Sequence, residues 1–118
     1  VRSPLHAGAS GEVILAHLPD DEREAYLSSP LQPITPSTIT DPSALRLILR
    51  KIRERGFAAS SNETAGGLAG VAAVITERGR PIASIAVSLP AQRYTPDVVD
   101  HIGPLVRTQG EAISAALV

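Results

Sequence analysis

Apolar and charged positions follow a helical period in the middle of the chain. Apolar side chains recur three and four residues apart and share one side of a helix, while charged side chains fall on the other side. The apolar positions are Leu45, Ile48, Leu49 and Ile52, and the charged ones are Arg46, Arg50, Arg53 and Glu54. Asp41 is a candidate N-cap and Pro42 follows it at the first helical position. Gly56 is a typical residue to end the helix. The pattern predicts an amphipathic helix over residues 42–55.

Two shorter helices are predicted before this one. Ser10 is a candidate N-cap for an apolar helix over residues 11–18. A second helix over residues 21–27 begins with Asp20 and Asp21, which the positive end of a helix dipole favours. Residues 28–40 contain three prolines and many hydroxyl side chains, which is typical of an ordered connecting loop.

After Gly56 the pattern changes to that of strands. Short strands are predicted over residues 57–60, 68–76 and 81–89, with a hairpin turn over residues 77–80. In the third strand, alternate residues share a face, and one face carries Ile82, Ser84, Ala86 and Ser88. Helices followed by antiparallel strands indicate an α+β domain with helices packed on one sheet.

A final helix is predicted from the Thr95-Pro96 cap to about Leu117. Pro104 lies inside it and lacks a backbone donor, so we expect the helix to bend or break there.

Composition narrows the class of protein. The formal net charge of −1 gives no domain-wide attraction for nucleic acid. The absence of cysteine excludes disulfides and thiolate metal sites and fits a reducing cytoplasm, where we expect the protein to act. No apolar run approaches the roughly 20 residues that span a bilayer, so no membrane association is expected. The 118 residues fit one domain, and the missing initiator Met indicates a fragment of a longer chain.

The small-residue turn at residues 8–11 is the first candidate for chemistry. Ser10 sits in a pattern that resembles a nucleophile elbow, but Glu12 stands where that motif requires glycine. The same acidic residue disfavours a phosphate-binding loop, which needs lysine after its glycines. A helix N-terminus flanked by small residues can still hold a carboxylate or carbonyl group of a small ligand.

Three other features have ordinary structural explanations. The histidines His6, His17 and His101 lack a paired spacing, so no metal site is predicted. The basic residues of the stretch 46–55 are interleaved with apolar ones, which favours a solvated helix face over a DNA-binding surface. The stretch 60–70 contains three glycines and is either a ligand-binding wall or a flexible loop.

Several motifs then match one family in order. PLHAGASGEVILAHLP resembles P-L-H-x-x-A-x-G-K-x-x-L-A, and ITPSTITDPSALRLILRKIRERGFA resembles L-T-x-x-T-I-x-D, then L-x-x-x-L, then R-x-x-G-[YF]-A. Glu63, with Gly67-Leu68 and Ala72-Ala73, matches E-x-x-x-G-[LV]-x-C-x-A-A-P. RPIASIAVSLPAQRYTP and HIGPLVRTQGEAISAAL are similar to the next strand and the closing helix. Together these stretches resemble the C-terminal effector-binding domain of IclR-type transcriptional regulators.

The resemblance implies a GAF-like α+β fold over residues 1–118, an antiparallel sheet with helices on its faces and a pocket on one side. It implies no enzymatic activity and no cofactor. The expected partners are a small-molecule effector, commonly an organic or aromatic acid, and further copies of the chain in a dimer or tetramer. DNA is expected to bind only through a separate helix-turn-helix domain that this chain lacks. The family's first sensor strands are also expected to be missing, which would leave a bare sheet edge that favours association.

The resemblance also implies which residues line the pocket. They lie in the small-residue turn, at the position that follows the G-[YF]-x-x stretch, and at two positions each of the second and third strands. The residues are Ala9, Ser10, Gly11, Ser60, Leu68, Gly70, Ala86 and Ser88. Six positions depart from the family pattern, namely Glu12 for Lys, Ser60 for Asp, Gly70 for Cys, Val74 for Pro, Ala86 for Ser and Leu89 for Gly. The departures predict a roomier, less charged pocket for an aromatic acid or an aliphatic ester or lactone.

Two other functions remain open from the sequence. The chain could be an assembly domain with a vestigial pocket, or a small Ser10-dependent hydrolase.

Overall fold

The computed structural model describes residues 5–62 and 67–117. In this part of the chain the helices are α1 (Ala9–His17), α2 (Asp20–Ser28), α3 (Pro42–Arg55) and α4 (Pro96–Ala116). The strands are β1 (Ala58–Ser61), β2 (Leu68–Glu77) and β3 (Arg80–Pro90), and a 3-10 turn, Ala91–Arg93, follows β3. The order of elements confirms the predicted α+β class.

The strands form an antiparallel sheet in the order β1-β2-β3. The register aligns Ser60 with Gly70 and Gly70 with Ser88, so these three residues form one row across the sheet. The adjacent row is formed by Ala58, Ala72 and Ala86. Because side chains two apart share a face, both rows belong to the same face of the sheet.

Helices cover both faces of the sheet. On the face of these rows, a core joins α1, α2 and α3 to Ala58 and Ala72, and its largest buried side chains include Leu15, Leu45 and Leu49. On the other face, α4 packs through Val99 and Val106 against Phe57, Val71 and Ala73. Alternate side chains of β2 therefore pack into two separate cores, one on each face of the sheet.

Local signals placed α3 correctly. The Asp41 carboxylate accepts hydrogen bonds from the backbone N–H groups of Ser43 and Ala44, and Pro42 is the first helical residue. Gly56 ends the helix with φ of 84°, a left-handed conformation that glycine adopts without strain.

The predicted cap of α1 was wrong, and so was the predicted break in α4. Ser10 does not cap α1, because the helix begins at Ala9 after Gly8, whose φ is 87°, and no side chain caps it. Pro104 does not break α4, which continues unbroken from residue 96 to residue 116. The preceding residue is Gly103, which has no Cβ to clash with the proline ring, and the carbonyl of Asp100 that loses its partner belongs to an exposed residue.

No helix within residues 5–62 and 67–117 combines the length and the apolar character that crossing a membrane requires.

Candidate functional site

A cavity of about 300 Å³ lies between the N-terminus of α1 and the sheet. The residues around it are small, hydroxylated or aliphatic: Leu5, Ala7, Gly8, Ala9, Ser10, Gly11, Ile14, Ser60, Leu68, Ala69, Gly70, Ser84, Ala86 and Ser88. None of them carries a charge. The cavity therefore offers apolar surface and hydroxyl groups to a ligand.

All eight residues that the family resemblance placed in a pocket line this cavity. The strand register explains the convergence, because Ser60, Gly70 and Ser88 lie in one row and Ala86 in the next. Their role in binding an effector stays a prediction.

Six further lining residues were not among the positions assigned to the pocket from the sequence: Leu5, Ala7, Gly8, Ile14, Ala69 and Ser84. Two of them carried a usable signal. Ser84 has the same strand parity as Ala86 and Ser88, and Ile14 lies one helical turn after Gly11. The other four are Leu5, Ala7, Gly8 and Ala69. The path of the chain before α1 and the position of β2 bring them to the cavity, and local sequence patterns do not predict either.

The first turn of α1 opens into the cavity. The carbonyl oxygen of the N-cap residue, Gly8, accepts the first hydrogen bond of the helix from the backbone N–H of Glu12 at 3.0 Å. The N–H groups of Ala9, Ser10 and Gly11 therefore precede the hydrogen bonds within the helix. No side chain caps this end of the helix. An uncapped helix N-terminus is a favourable place for a carboxylate or another anionic group.

Four serine hydroxyls surround this helix end: those of Ser10, Ser60, Ser84 and Ser88. Among the described residues, none of the four makes a hydrogen bond to another protein group. Each hydroxyl keeps one donor and two acceptor positions, which a polar substituent of a ligand could use.

One wall of the cavity is held by Tyr26. Its hydroxyl accepts a hydrogen bond from the backbone N–H of Leu5 at 2.8 Å and lies 2.9 Å from Nδ1 of His6. His6 Nε2 lies 2.7 Å from the carbonyl oxygen of Gln32, which can only accept, so Nε2 donates and Nδ1 accepts from the Tyr26 hydroxyl. His6 is 2% exposed. This chain of hydrogen bonds fixes the segment that carries Leu5 and Ala7.

Two of the three histidines are engaged by groups other than Ser10. Both ring nitrogens of His6 are used by Tyr26 and Gln32, and Nδ1 of His17 lies 2.8 Å from the carbonyl oxygen of Val13. His101 lies exposed on α4, which covers the opposite face of the sheet. Over residues 5–62 and 67–117, no three metal-ligating side chains come together. None of these contacts pairs a histidine with the Ser10 hydroxyl.

Glu63, which contributed to the motif of the second strand, lies outside the described residues, as does the middle of the glycine-containing stretch 60–70. The two ends of that stretch, at Ser60 and at Leu68 and Gly70, lie on the cavity.

Comparison with known proteins identifies the domain. The family model of the bacterial transcriptional regulator IclR C-terminal domain matches residues 1–115. The chain is 38% identical over 118 residues to the HTH-type transcriptional repressor AllR of Klebsiella pneumoniae, and the match covers 98% of the chain and 43% of AllR. The chain thus spans less than half of the length of this relative.

Solved structures have the same fold. The IclR protein of Thermotoga maritima superposes with a TM-score of 0.90 at 36% identity, over 96% of this chain and 47% of that protein. An IclR homologue from Microbacterium hydrocarbonoxydans, solved in complex with 4-hydroxybenzoate, superposes with a TM-score of 0.84 at 32% identity, over 99% of this chain and 47% of the homologue. The chain therefore belongs to the family of C-terminal domains of bacterial IclR transcriptional regulators.

Proposed function

We propose that this chain is the effector-binding domain of a transcriptional regulator and that the cavity beneath α1 binds a small organic acid. One observation carries the proposal: an uncharged cavity of about 300 Å³ has an uncapped helix N-terminus at its wall. Ligand cavities in proteins combine mostly apolar walls with a few directed polar groups, and this cavity has that composition.

The ligand's carboxylate lies against the first turn of α1. The N–H groups of Ala9, Ser10 and Gly11 lie at this wall, and the charge of an acid is favoured at the positive end of the helix dipole. No lysine or arginine side chain lines the cavity to compete for the carboxylate.

The body of the ligand is apolar and about the size of one aromatic ring. Leu5, Ile14 and Leu68 supply aliphatic surface, while Gly70 and Ala86 leave open space over the sheet. The volume lies at the small end of the range for ligand pockets, which suits a single ring. The 4-hydroxybenzoate in the Microbacterium hydrocarbonoxydans homologue supports this class. A two- or three-carbon keto acid would leave most of the apolar wall unfilled.

The bound effector biases DNA binding by a helix-turn-helix domain elsewhere in the full regulator. The protein acts in the cytoplasm as a homo-oligomer, a dimer or tetramer, and performs no catalysis itself. The repressor named among its relatives, together with the length of chain that those relatives have outside this domain, supports this arrangement.

A thermal-shift screen tests the proposal. Small keto acids, aromatic acids, phenols, lactones and acyl esters are each added to the 118-residue chain. A ligand that binds only the folded state, at about ten times its Kd, should raise the melting temperature by about 5 °C. Aromatic acids should give the largest rise.

Substitutions at Gly70 supply the matched control. A Cβ at Gly70 would lie 3.7 Å from the carbonyl oxygen of Val87 and 3.9 Å from Cβ of Ala9, which are ordinary contacts. Gly70→Ala should therefore fold normally and keep part of the shift, whereas the side chain of Gly70→Leu should fill the cavity and abolish it. A shift of equal size in Gly70→Leu would place the ligand elsewhere and contradict the proposal.

An assembly domain with a vestigial pocket is the alternative. It predicts no shift with any class of ligand while the chain still forms a dimer or tetramer by analytical ultracentrifugation. A Ser-dependent hydrolase predicts turnover of an activated ester that Ser10→Ala abolishes. Both ring nitrogens of His6 and Nδ1 of His17 are engaged by other groups, which argues against the hydrolase.

A further inference from the structure

A second cavity, of about 200 Å³, lies between α2 and α3. Four of its six lining residues are arginines, and the full set is Arg23, Glu24, Arg46, Leu49, Arg50 and Arg53. None of these residues lines the cavity beneath α1. The α2–α3 cleft is therefore a separate site, and its interpretation does not depend on the proposed effector.

Helical spacing produces the arginine cluster. Arg46, Arg50 and Arg53 are four and three residues apart, so their side chains leave α3 on one side. The neighbouring helix α2 adds Arg23. Its Nη1 donates to the carbonyl oxygen of Leu18 at 3.0 Å, and its Nη2 donates to Oδ1 of Asp20 at 2.5 Å. The Arg23 side chain is 16% exposed, so its guanidinium group is held in place.

Only part of this positive charge is neutralised. Glu24 pairs with Arg46 through Nε and Nη2, and Asp20 pairs with Arg23 and lies 3.6 Å from Nη1 of Arg53. Four guanidinium groups thus face two carboxylates, which leaves two positive charges in excess. The side chain of Arg50 makes no hydrogen bond or ion pair within residues 5–62 and 67–117.

We propose that the α2–α3 cleft binds a phosphate group, with Arg50 and Arg53 as its principal donors and Arg23 and Arg46 at its sides. Guanidinium groups bind phosphate through paired N–H donors in a fixed plane, and lysine cannot reproduce that geometry. Two excess charges match a dianion. Hydrogen phosphate, the dianion of inorganic phosphate, keeps one hydroxyl group. This hydroxyl can donate to the Glu24 carboxylate at the edge of the cleft.

Titration with inorganic phosphate tests the proposal. Backbone amide signals of the ¹⁵N-labelled 118-residue chain are followed by NMR, at constant ionic strength set with sodium chloride. Saturable shifts should be confined to α2 and α3. Arg50→Gln should weaken binding about fivefold, which is the upper range for one exposed charge pair. Arg50→Gln combined with Arg53→Gln should weaken binding more than tenfold.

Two controls separate the site from general charge effects. Arg78→Gln removes the same charge at the hairpin turn and should leave phosphate binding unchanged. Gly70→Leu blocks the other cavity and should also leave it unchanged, so this proposal and the effector proposal fail independently. Melting curves of Arg50→Gln should match the wild type because the side chain is exposed.

Three results overturn the proposal. The first is the absence of saturable phosphate binding in the millimolar range. The second is equal weakening by Arg78→Gln and Arg50→Gln, which would indicate a non-specific charge effect. The third is binding of a short mixed-sequence DNA duplex to α2 and α3 without any binding of inorganic phosphate or a sugar phosphate, which would make the cleft a nucleic-acid contact.

Discussion

Gly103 of α4 lies so close to the ring of Phe57 that a Cβ atom at this glycine would be 2.6 Å from Cε2 of the ring. Phe57 is 7% exposed, and the guanidinium carbon of Arg55 lies 4.4 Å from the centre of its ring. The ring therefore has little room to move. Gly103→Ala should lower the free energy of unfolding by about 1–3 kcal/mol, the usual cost of overpacking a core, as measured by urea denaturation.

Making Gly103→Ala in a Phe57→Leu variant tests whether the contact with the ring causes this loss of stability. Phe57→Leu removes the ring atoms that the new Cβ would meet, at its own cost in buried area. In that background Gly103→Ala should be neutral or stabilising, because alanine is favoured over glycine inside a helix by about 1 kcal/mol. An equal loss in both backgrounds would show that the contact with Phe57 is not responsible.

The Tyr26 hydroxyl is predicted to support both stability and ligand binding. Tyr26→Phe keeps the ring but removes the acceptor for the Leu5 N–H group and the donor for Nδ1 of His6. Leaving buried polar groups without partners costs about 1–3 kcal/mol, which scanning calorimetry would detect. Because Leu5 and Ala7 line the cavity, the ligand-induced thermal shift should also decrease.

Ser28→Ala on the same helix is the control for Tyr26→Phe. Its hydroxyl is exposed and bonds only within α2, to the carbonyl oxygen of Glu24, so both stability and ligand binding should stay near those of the wild type. If Tyr26→Phe behaves like this control, the hydrogen bonds from Leu5 and to His6 do not hold the cavity wall.

The elements that could be predicted are those whose signals are local. The signals for α3 lie within or beside the helix, at Asp41, Pro42 and Gly56. The hairpin turn contains Gly79, which adopts a positive φ of 78° there. The start of α1 was missed because Gly8 begins the helix through its backbone conformation, without the side-chain cap that Ser10 suggested.

Relationships between distant elements were not predictable from local patterns. Gly103 lies close to Phe57, although Phe57 precedes the three strands in the chain and Gly103 follows them. The residues next to either one in the sequence do not indicate this contact. The eight cavity positions came from the family resemblance, and their convergence depends on the pairing of Ser60 with Gly70 and of Gly70 with Ser88. The α2–α3 cleft likewise depends on how two helices cross, which places Arg23 beside the arginines of α3.

Two carboxylates of α2 should make stability fall in acid. A hydrogen bond from Arg46 is the main cause that lowers the pKa of Glu24 from its usual 4.5. A hydrogen bond from Arg23, followed by the charge of that residue, lowers the pKa of Asp20 from its usual 3.8. A lowered pKa in the folded state adds stability above the unfolded pKa, and this stability is lost as pH falls through the folded value. Urea denaturation should therefore show declining stability below about pH 4.5.

Glu24→Gln should reduce this acid dependence, since it removes one of the two groups. The matched control is Glu54→Gln, which removes an exposed carboxylate that forms no ion pair in the described part of the chain. High salt should also flatten the wild-type profile because exposed ion pairs are screened. If Glu24→Gln and Glu54→Gln change the profile equally, total charge and not the pair with Arg46 determines it.

A charge introduced at Ser60 tests whether the carboxylate of the effector lies close to this residue. It is 6% exposed, lies beside Gly70 in the sheet and is uncharged where the family pattern has aspartate. Ser60→Asp would place a carboxylate in a cavity that we expect to hold the carboxylate of the effector. Repulsion at this range should weaken binding of an aromatic acid about tenfold or more.

Ser60→Asn has the same shape as Ser60→Asp without the charge and should bind the acid nearly as the wild type does. Isothermal titration calorimetry measures both variants. Equal binding by the two would mean that the ligand's acid group lies away from Ser60, and stronger binding by Ser60→Asp would contradict the placement of that carboxylate beside Ser60.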